Sequence, residues 1–240
     1  HSRTRVDRDS LKLNETRGGS RVFHPSLRFP MSDKHAVCRH PTNLHRVVVT
    51  GGIATGKSTL IEEIQARIPE VGIYDCDKAV HQLLTEEPVM ARLRGLFGAQ
   101  IFADSVLNRS ALRQLVFADE SCRRQLEDLI HPLVRSRCEE HFVSYAAERT
   151  EGLFIADVPL YFETHGAYPN DLVAVVATTR ATQKRRLMQR SQLSSEAAES
   201  IISAQWPIEK KVLLGDVLIW NECPLHCLSA QAELFLSSLS

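Results

Sequence analysis

The chain has 240 residues, 43% of them hydrophobic and 24% charged, a balance that suits one globular domain or one domain with insertions. Formal net charge is zero, yet residues 1–46 hold ten Lys and Arg against four Asp and Glu, whereas the remainder holds 19 against 25. A basic lead on a mildly acidic body lacks the broad basic face of a nucleic-acid binder. No apolar run is long enough to span a bilayer, so neither nucleic acid nor membrane is an expected partner.

Residues 1–45 show no sustained helix or strand period and are rich in Arg and Ser, which predicts a basic, disordered N-terminal extension. The chain opens on His1, and Met31 is a candidate native start; Asp7, Asp9 and Glu15 weaken the alternative of an organelle transit peptide. Six cysteines, Cys38, Cys76, Cys122, Cys138, Cys223 and Cys227, form no CxxC pair. Only Cys223 and Cys227 are close, and no second ligand pair accompanies them, so the set reads as reduced thiols of a cytosolic, cytoplasmic protein.

From residue 46 short β-branched runs alternate with helical stretches. The strand candidates are "RVVVT" (46–50), "VGIYD" (71–75), "LFIAD" (153–157), "LVAVVA" (172–177) and "VLIW" (217–220). Four of the five are nearly continuous apolar runs, as in parallel strands covered on both faces. The expected fold is α/β: a five-stranded parallel sheet of the P-loop NTPase type, flanked by helices. The core comprises residues 46–77, 151–180 and 213–240. Between the second and third strands lies a segment too long for one crossover, which predicts an inserted helical subdomain over 78–150. A second helical stretch, 181–212, separates the fourth strand from the fifth.

The first strand runs into Gly51, Gly52, Ile53, Ala54, Thr55, Gly56, Lys57, Ser58 and Thr59, which fits the pattern Gly-x4-Gly-Lys-Ser between a strand and a helix. Glycines let successive backbone amides turn inward around phosphate oxygens, and the helix start behind them favours negative charge. Lys57 can reach the β- and γ-phosphates, and the Ser58 hydroxyl can ligate Mg²⁺. The implied ligands are ATP and Mg²⁺; an incidental glycine turn is the alternative. A GTPase would add an Asn-Lys-x-Asp motif, and the chain has none.

Asp75 and Asp77 follow the second strand at the carboxyl edge of the sheet, where ligands of open α/β folds sit. In extended chain that spacing would point both carboxylates the same way. One could take the proton of an acceptor hydroxyl while the other orients it or helps hold Mg²⁺. A solvated turn with two helix-start acids is the plain alternative.

The stretches "TGGIATGKST", "YDCDKAVHQLL", "LNRSALRQLVF", "LIHPLV", "IADVPLYFE", "RRLMQRSQLSSEAAESIISAQWPIEKK" and "GDVLIWN", in this order over residues 46–222, resemble the dephospho-coenzyme A kinase family. The resemblance implies ATP-dependent phosphorylation of the ribose 3′-hydroxyl of dephospho-coenzyme A, the last step of coenzyme A synthesis. It also implies a nucleotide core, a helical acceptor domain and a lid. Asp77 matches the family's proposed base with Asp75 beside it, and Thr50 matches a threonine near the reacting phosphate.

By the same resemblance Arg109 and Arg113 could grip acceptor phosphates, or be surface arginines one helical turn apart. His131, before Pro132 at a helix cap or bend, matches an acceptor-pocket position but could equally be a packed histidine. Asp157 sits where a carboxylate often lies near the metal, or it orients the Pro159 turn. Arg186 and Arg190 could close over the transferring phosphoryl group, or form a solvated basic face with Lys184 and Arg185. Asn221 matches a position near the adenine. The chain departs from the family at Ala54, tolerable there at negative φ, at Asn108 where aspartate is common, and at Glu222-Cys223 where the family has x-Gly. Another small-molecule kinase, or a nucleotide-binding interaction module without catalysis, are the competing functions.

Overall fold

A computed structural model describes residues 43–239; the expectations for the earlier lead, including the Met31 start and Cys38, lie outside the described residues. The chain runs β1 (Asn43–Gly51), α1 (Lys57–Arg67), β2 (Gly72–Asp75), α2 (Cys76–Leu83), α3 (Glu87–Phe97), a 3₁₀ turn at Ala99–Ile101, β3 (Phe102–Ala103) and β4 (Val106–Leu107). It continues through α4 (Arg109–Ala118), α5 (Glu120–Ala147), β5 (Glu151–Asp157), β6 (Leu172–Ala177), α6 (Arg180–Ser191), α7 (Ser195–Ser203), α8 (Ile208–Leu214), β7 (Val217–Trp220) and α9 (Leu225–Ser237).

Five strands form one sheet in the order β2-β5-β1-β6-β7, with every neighbour parallel, as the apolar runs predicted. Side chains alternate across it. Val47 and Val49 of β1 pack with Leu60 and Ile64 of α1 and with Leu228, Ala232 and Phe235 of α9. Val48 turns to the opposite face, where Phe154, Ala156, Val173 and Val175 meet Leu83 of α2 and Val134 and Phe142 of α5. Both faces are dry, so nearly every central-strand position must be apolar. Among the described residues no helix is long and apolar enough to cross a membrane.

Strand β1 begins earlier than its apolar run because Asn43, Leu44 and His45 pair with Glu151, Gly152 and Leu153 of β5. The Arg46 guanidinium is buried there, stacked 3.7 Å above the Phe142 ring and paired with Glu139, which pins α5 to the sheet. The β3–β4 hairpin was not predicted. Its two-residue turn, Asp104 and Ser105, places both at positive φ, a turn usually announced by Asn-Gly or Asp-Gly. Pro132 neither caps nor terminates a helix: it lies inside the 28-residue α5, which Tyr74 anchors by donating its hydroxyl to the Val134 carbonyl at 3.0 Å.

Candidate active site

Register places the chemistry. Asp157 ends β5 opposite both Val49 of β1 and Asp75 of β2, so two acids and the start of the glycine loop share one sheet edge. The loop then turns into α1 under tight backbone constraints. A Cβ on Gly51 would lie 2.3 Å from the Val176 carbonyl oxygen, and Gly56 adopts φ 97° with the Asn221 amide against it. Helix α1 has no side-chain cap and no acid in its first turn, whereas α2, α4, α5, α6 and α7 are capped by Asp75, Asn108, Asp119, Thr179 and Ser194. Helices α3, α8 and α9 also lack a side-chain cap, but of these four starts only that of α1 follows the glycine loop, where its first amides and dipole could serve an external anion.

Ala54 departs from expectation: its φ is 58°, not negative. The Cβ is strained there, and the residue persists because Ile53 and Ala54 pack against the cluster of Leu187, Ala198 and Ile202 from α6 and α7. Ala54→Gly should relieve about 1 kcal/mol, seen as a melting temperature higher by about 2–4 °C. A lower melting temperature would mean that the methyl's packing outweighs its strain.

Asp75 and Asp77 are brought together by a helix start, not by strand alternation. Chain β2 passes directly into α2, so Asp75 becomes the N-cap, accepting from the Lys78 amide at 2.9 Å, and Asp77 sits exposed in the first turn. Both line a cavity of about 820 Å³ together with loop residues Gly52 to Thr59, Lys78, His81, Asp157, Arg186 and Arg190. Burial pushes the Lys57 ammonium below its usual range; Asp157 and Asp77 draw it back up, while Lys211 and Arg190 push it further down. The Asp157 carboxyl is pushed up to about 6 by burial; Lys57 opposes this, and Asp75 and Asp77 add to it. Asp157 Oδ1 is buried without a hydrogen-bond partner.

A carboxyl whose folded pKa is raised favours the fold most at low pH, where it is protonated in both states. That contribution is lost as pH rises from its unfolded value through about 6. Asp157→Asn should therefore stabilise the ligand-free protein at pH 7–8 by about 1–2 kcal/mol, allowing for partial solvent screening, and by almost nothing at pH 4. Melting curves across that range check it; a gain independent of pH would contradict it.

The other expected residues divide. Thr50 is fully buried and donates to the Pro159 carbonyl at 3.3 Å. Asn221 is buried behind the loop, its amide donating to the Thr55 carbonyl at 2.8 Å. Arg186 reaches the Thr55 carbonyl at 3.4 Å and the Asn221 carbonyl at 3.0 Å, while Arg190, one turn on, is exposed at the cavity. Arg109 opens α4, where Asn108 supplies the cap by accepting from the Ala111 amide, and donates to the His81 carbonyl at 3.2 Å. Arg113 is exposed one turn later. Neither arginine nor His131 lines the cavity; His131 lies in α5, where burial holds its imidazole below the usual value.

Glu222, the departure after β7, has its own bonding. It accepts from the Thr178 hydroxyl, from the Thr179 amide at 3.0 Å and hydroxyl at 3.1 Å, and from the Thr182 hydroxyl at 2.6 Å. Burial opposes its ionisation, but these donors outweigh it and hold the carboxyl down at about 2. The turn after Asn221 is thus tied to the start of α6 without a glycine.

Sequence reasoning missed Gln183, Gln205, Glu163 and Lys211. The Gln183 amide donates to the Ile53 carbonyl at 2.7 Å and Gln205 accepts from the Ile53 amide at 2.8 Å. Lys211 is fully buried, 2.7 Å from Glu163 Oε1 and 3.1 Å from the Gly51 carbonyl oxygen. Gln183, Arg186 and Arg190 share one helix face, a usable signal; Lys211, in a Lys-Lys pair, looked like any surface lysine.

Comparison with known proteins shows the family. The dephospho-CoA kinase family model matches residues 45–226. A dephospho-CoA kinase of Helicobacter pylori is 36% identical over 197 residues, covering 80% of this chain and 96% of the relative. One from Symbiobacterium thermophilum is 38% identical over 187 residues, 77% of each chain. Among solved structures, the dephospho-CoA kinase of Campylobacter jejuni superposes with a TM-score of 0.55 at 25% identity, covering 82% of this chain and 98% of that one. A Thermus thermophilus protein superposes with a TM-score of 0.69 at 28% identity over the same shares. The chain belongs to the dephospho-CoA kinase family, ATP-using P-loop kinases that carry out the last step of coenzyme A biosynthesis.

Proposed function

We propose that the cavity holds ATP over the glycine loop and the ribose 3′-hydroxyl of dephospho-coenzyme A beside Asp77, in line for transfer. The acceptor oxygen forms a bond to the γ-phosphorus, the bond from that phosphorus to the β,γ-bridging oxygen breaks, and ADP leaves. The hydroxyl proton passes to the Asp77 carboxylate. The observation that carries the reading is one cavity lined at once by an uncapped helix start, three carboxylates and two arginines.

Asp77 is preferred to Asp75 as the proton acceptor because Asp75 is already engaged, capping α2 and pairing with Lys78 at 3.2 Å. Lys57 holds the β- and γ-phosphates. Arg186, fixed by the Thr55 and Asn221 carbonyls, and Arg190 neutralise charge that develops on the transferring group. Thr50 acts from behind, tying the Pro159 turn to the loop. Asn221 borders the adenine side of the cradle.

Mg²⁺ fits this donor set. Among the described residues no three His, Cys, Asp or Glu side chains gather as for an all-protein metal cage, but Mg²⁺ is usually held by one or two side chains plus phosphate oxygens and water. Ser58 Oγ and the partnerless Asp157 Oδ1 would hold it, and it would neutralise β- and γ-phosphate charge.

Helices α2–α5 serve as the acceptor side and α6–α8 as the lid. A second cavity of about 510 Å³ opens between α1, β2 and α2 and shares Ser58, Asp75, Lys78 and Asp157 with the first, giving the rest of the acceptor room beside the phosphates. Arg109, held at the His81 carbonyl, and Arg113 are the candidate phosphate grips of that side; His131 acts as a packing residue of α5.

Purified protein supplied with Mg·ATP should release ADP in step with coenzyme A when dephospho-coenzyme A is present. ADP release that depends instead on nucleoside monophosphates, with none on dephospho-coenzyme A, would overturn the acceptor assignment.

A further inference from the structure

The glycine loop is held from behind at alternate peptides. The Gly51 carbonyl accepts from Lys211 at 3.1 Å, the Ile53 carbonyl from Gln183 at 2.7 Å, and the Thr55 carbonyl from Asn221 at 2.8 Å. None of these three donors lines the cavity. All three are buried, Lys211 completely, and its ammonium also reaches Glu163 Oε1 at 2.7 Å and the Pro159 carbonyl at 3.4 Å.

In a trans peptide the carbonyl of one residue and the amide of the next point in opposite directions. No peptide among the described residues is cis. Carbonyls at 51, 53 and 55 fastened away from the cavity therefore aim the amides of Gly52, Ala54 and Gly56 into it. Those amides are the donors a polyphosphate needs.

We infer that Gln183 and Lys211 are positioning residues for polyphosphate binding: each fixes one loop carbonyl so that the following amide faces the phosphates. Because Gln183 lies on α6 and Lys211 on α8, the segment proposed as the lid is also the back wall of the donor site. The inference rests on the nucleotide-cradle reading of the loop, but not on the identity of the acceptor.

The test is calorimetric titration of ATP, inorganic tripolyphosphate and adenosine into the wild type, Gln183→Met and Lys211→Met. Methionine keeps the length of each side chain and removes the donor. Gln183→Met should weaken ATP and tripolyphosphate together by about 3–10-fold, and Lys211→Met by about 10–100-fold, with adenosine binding unchanged. The KM for dephospho-coenzyme A should stay at its wild-type value while that for ATP rises. Lys211→Met leaves the half-buried Glu163 without its cation; if it does not fold, Lys211→Met combined with Glu163→Gln, and Gln183→Met alone, decide the question. Wild-type tripolyphosphate affinity in folded Gln183→Met overturns the inference, as does an equal loss for adenosine, which would mark a general collapse of the site. Failure of the wild type to bind tripolyphosphate would overturn the cradle reading itself.

Discussion

Lys57→Met is expected to lower kcat/KM for ATP by about 10³-fold while leaving the ligand-free protein at least as stable as the wild type. The two halves have one cause. Lys57 is half-buried at the helix start, and burial, with Lys211 and Arg190 adding to it, holds its ammonium below the usual range. The neighbouring Asp157 and Asp77 carboxylates argue for keeping its charge. In the empty protein the charge is therefore close to an electrostatic cost. With polyphosphate present it faces several anionic oxygens in a site from which water is partly excluded, where a positioned cation contributes most. Thermal melts and steady-state kinetics on one preparation separate the effects. A variant that lost activity and stability together would show Lys57 to be chiefly a scaffold residue.

Asp77→Asn is expected to lower kcat by about 10²–10³-fold with the KM for ATP changed less than about threefold. The carboxamide keeps the shape of the side chain but cannot accept the acceptor proton. Asp77 is exposed and caps nothing, so little folding free energy goes with it. Asp75→Ala should behave differently, since it removes the oxygen that accepts the Lys78 amide at the start of α2; a melting temperature lowered by about 2–4 °C should accompany any kinetic change. If Asp77→Asn turned over at the wild-type rate, the proton acceptor would have to be Asp75, Asp157 or the phosphate itself.

The sheet was legible because parallel strands buried on both faces announce themselves as apolar runs, and the runs ending at Thr50, Asp75, Asp157, Ala177 and Trp220 are all strands of it. The loop was legible because few sequences besides a phosphate cradle need Gly51, Gly56 and Lys57 at that spacing. What lay hidden depends on contacts far apart in the chain. Gln183 and Ile53 are 130 residues apart, and Lys211 and Gly51 are 160, so no local period signals that these polar side chains are buried beneath the loop. The Asp104-Ser105 turn escaped because its residues lack the glycine that normally marks positive φ. Asp75 and Asp77 were placed on the correct edge for a reason that did not hold: α2 starts without any loop after β2, so a helix start, not strand alternation, juxtaposes them.

A crystal structure with dephospho-coenzyme A and a non-hydrolysable ATP analogue tests the central geometry most directly. The ribose 3′-oxygen should lie about 2.6–3.2 Å from the Asp77 carboxylate and in line with the γ-phosphorus over the loop. Finding that oxygen on Asp75 or Asp157, with residue 77 turned to bulk water, would contradict the arrangement on which every residue role rests.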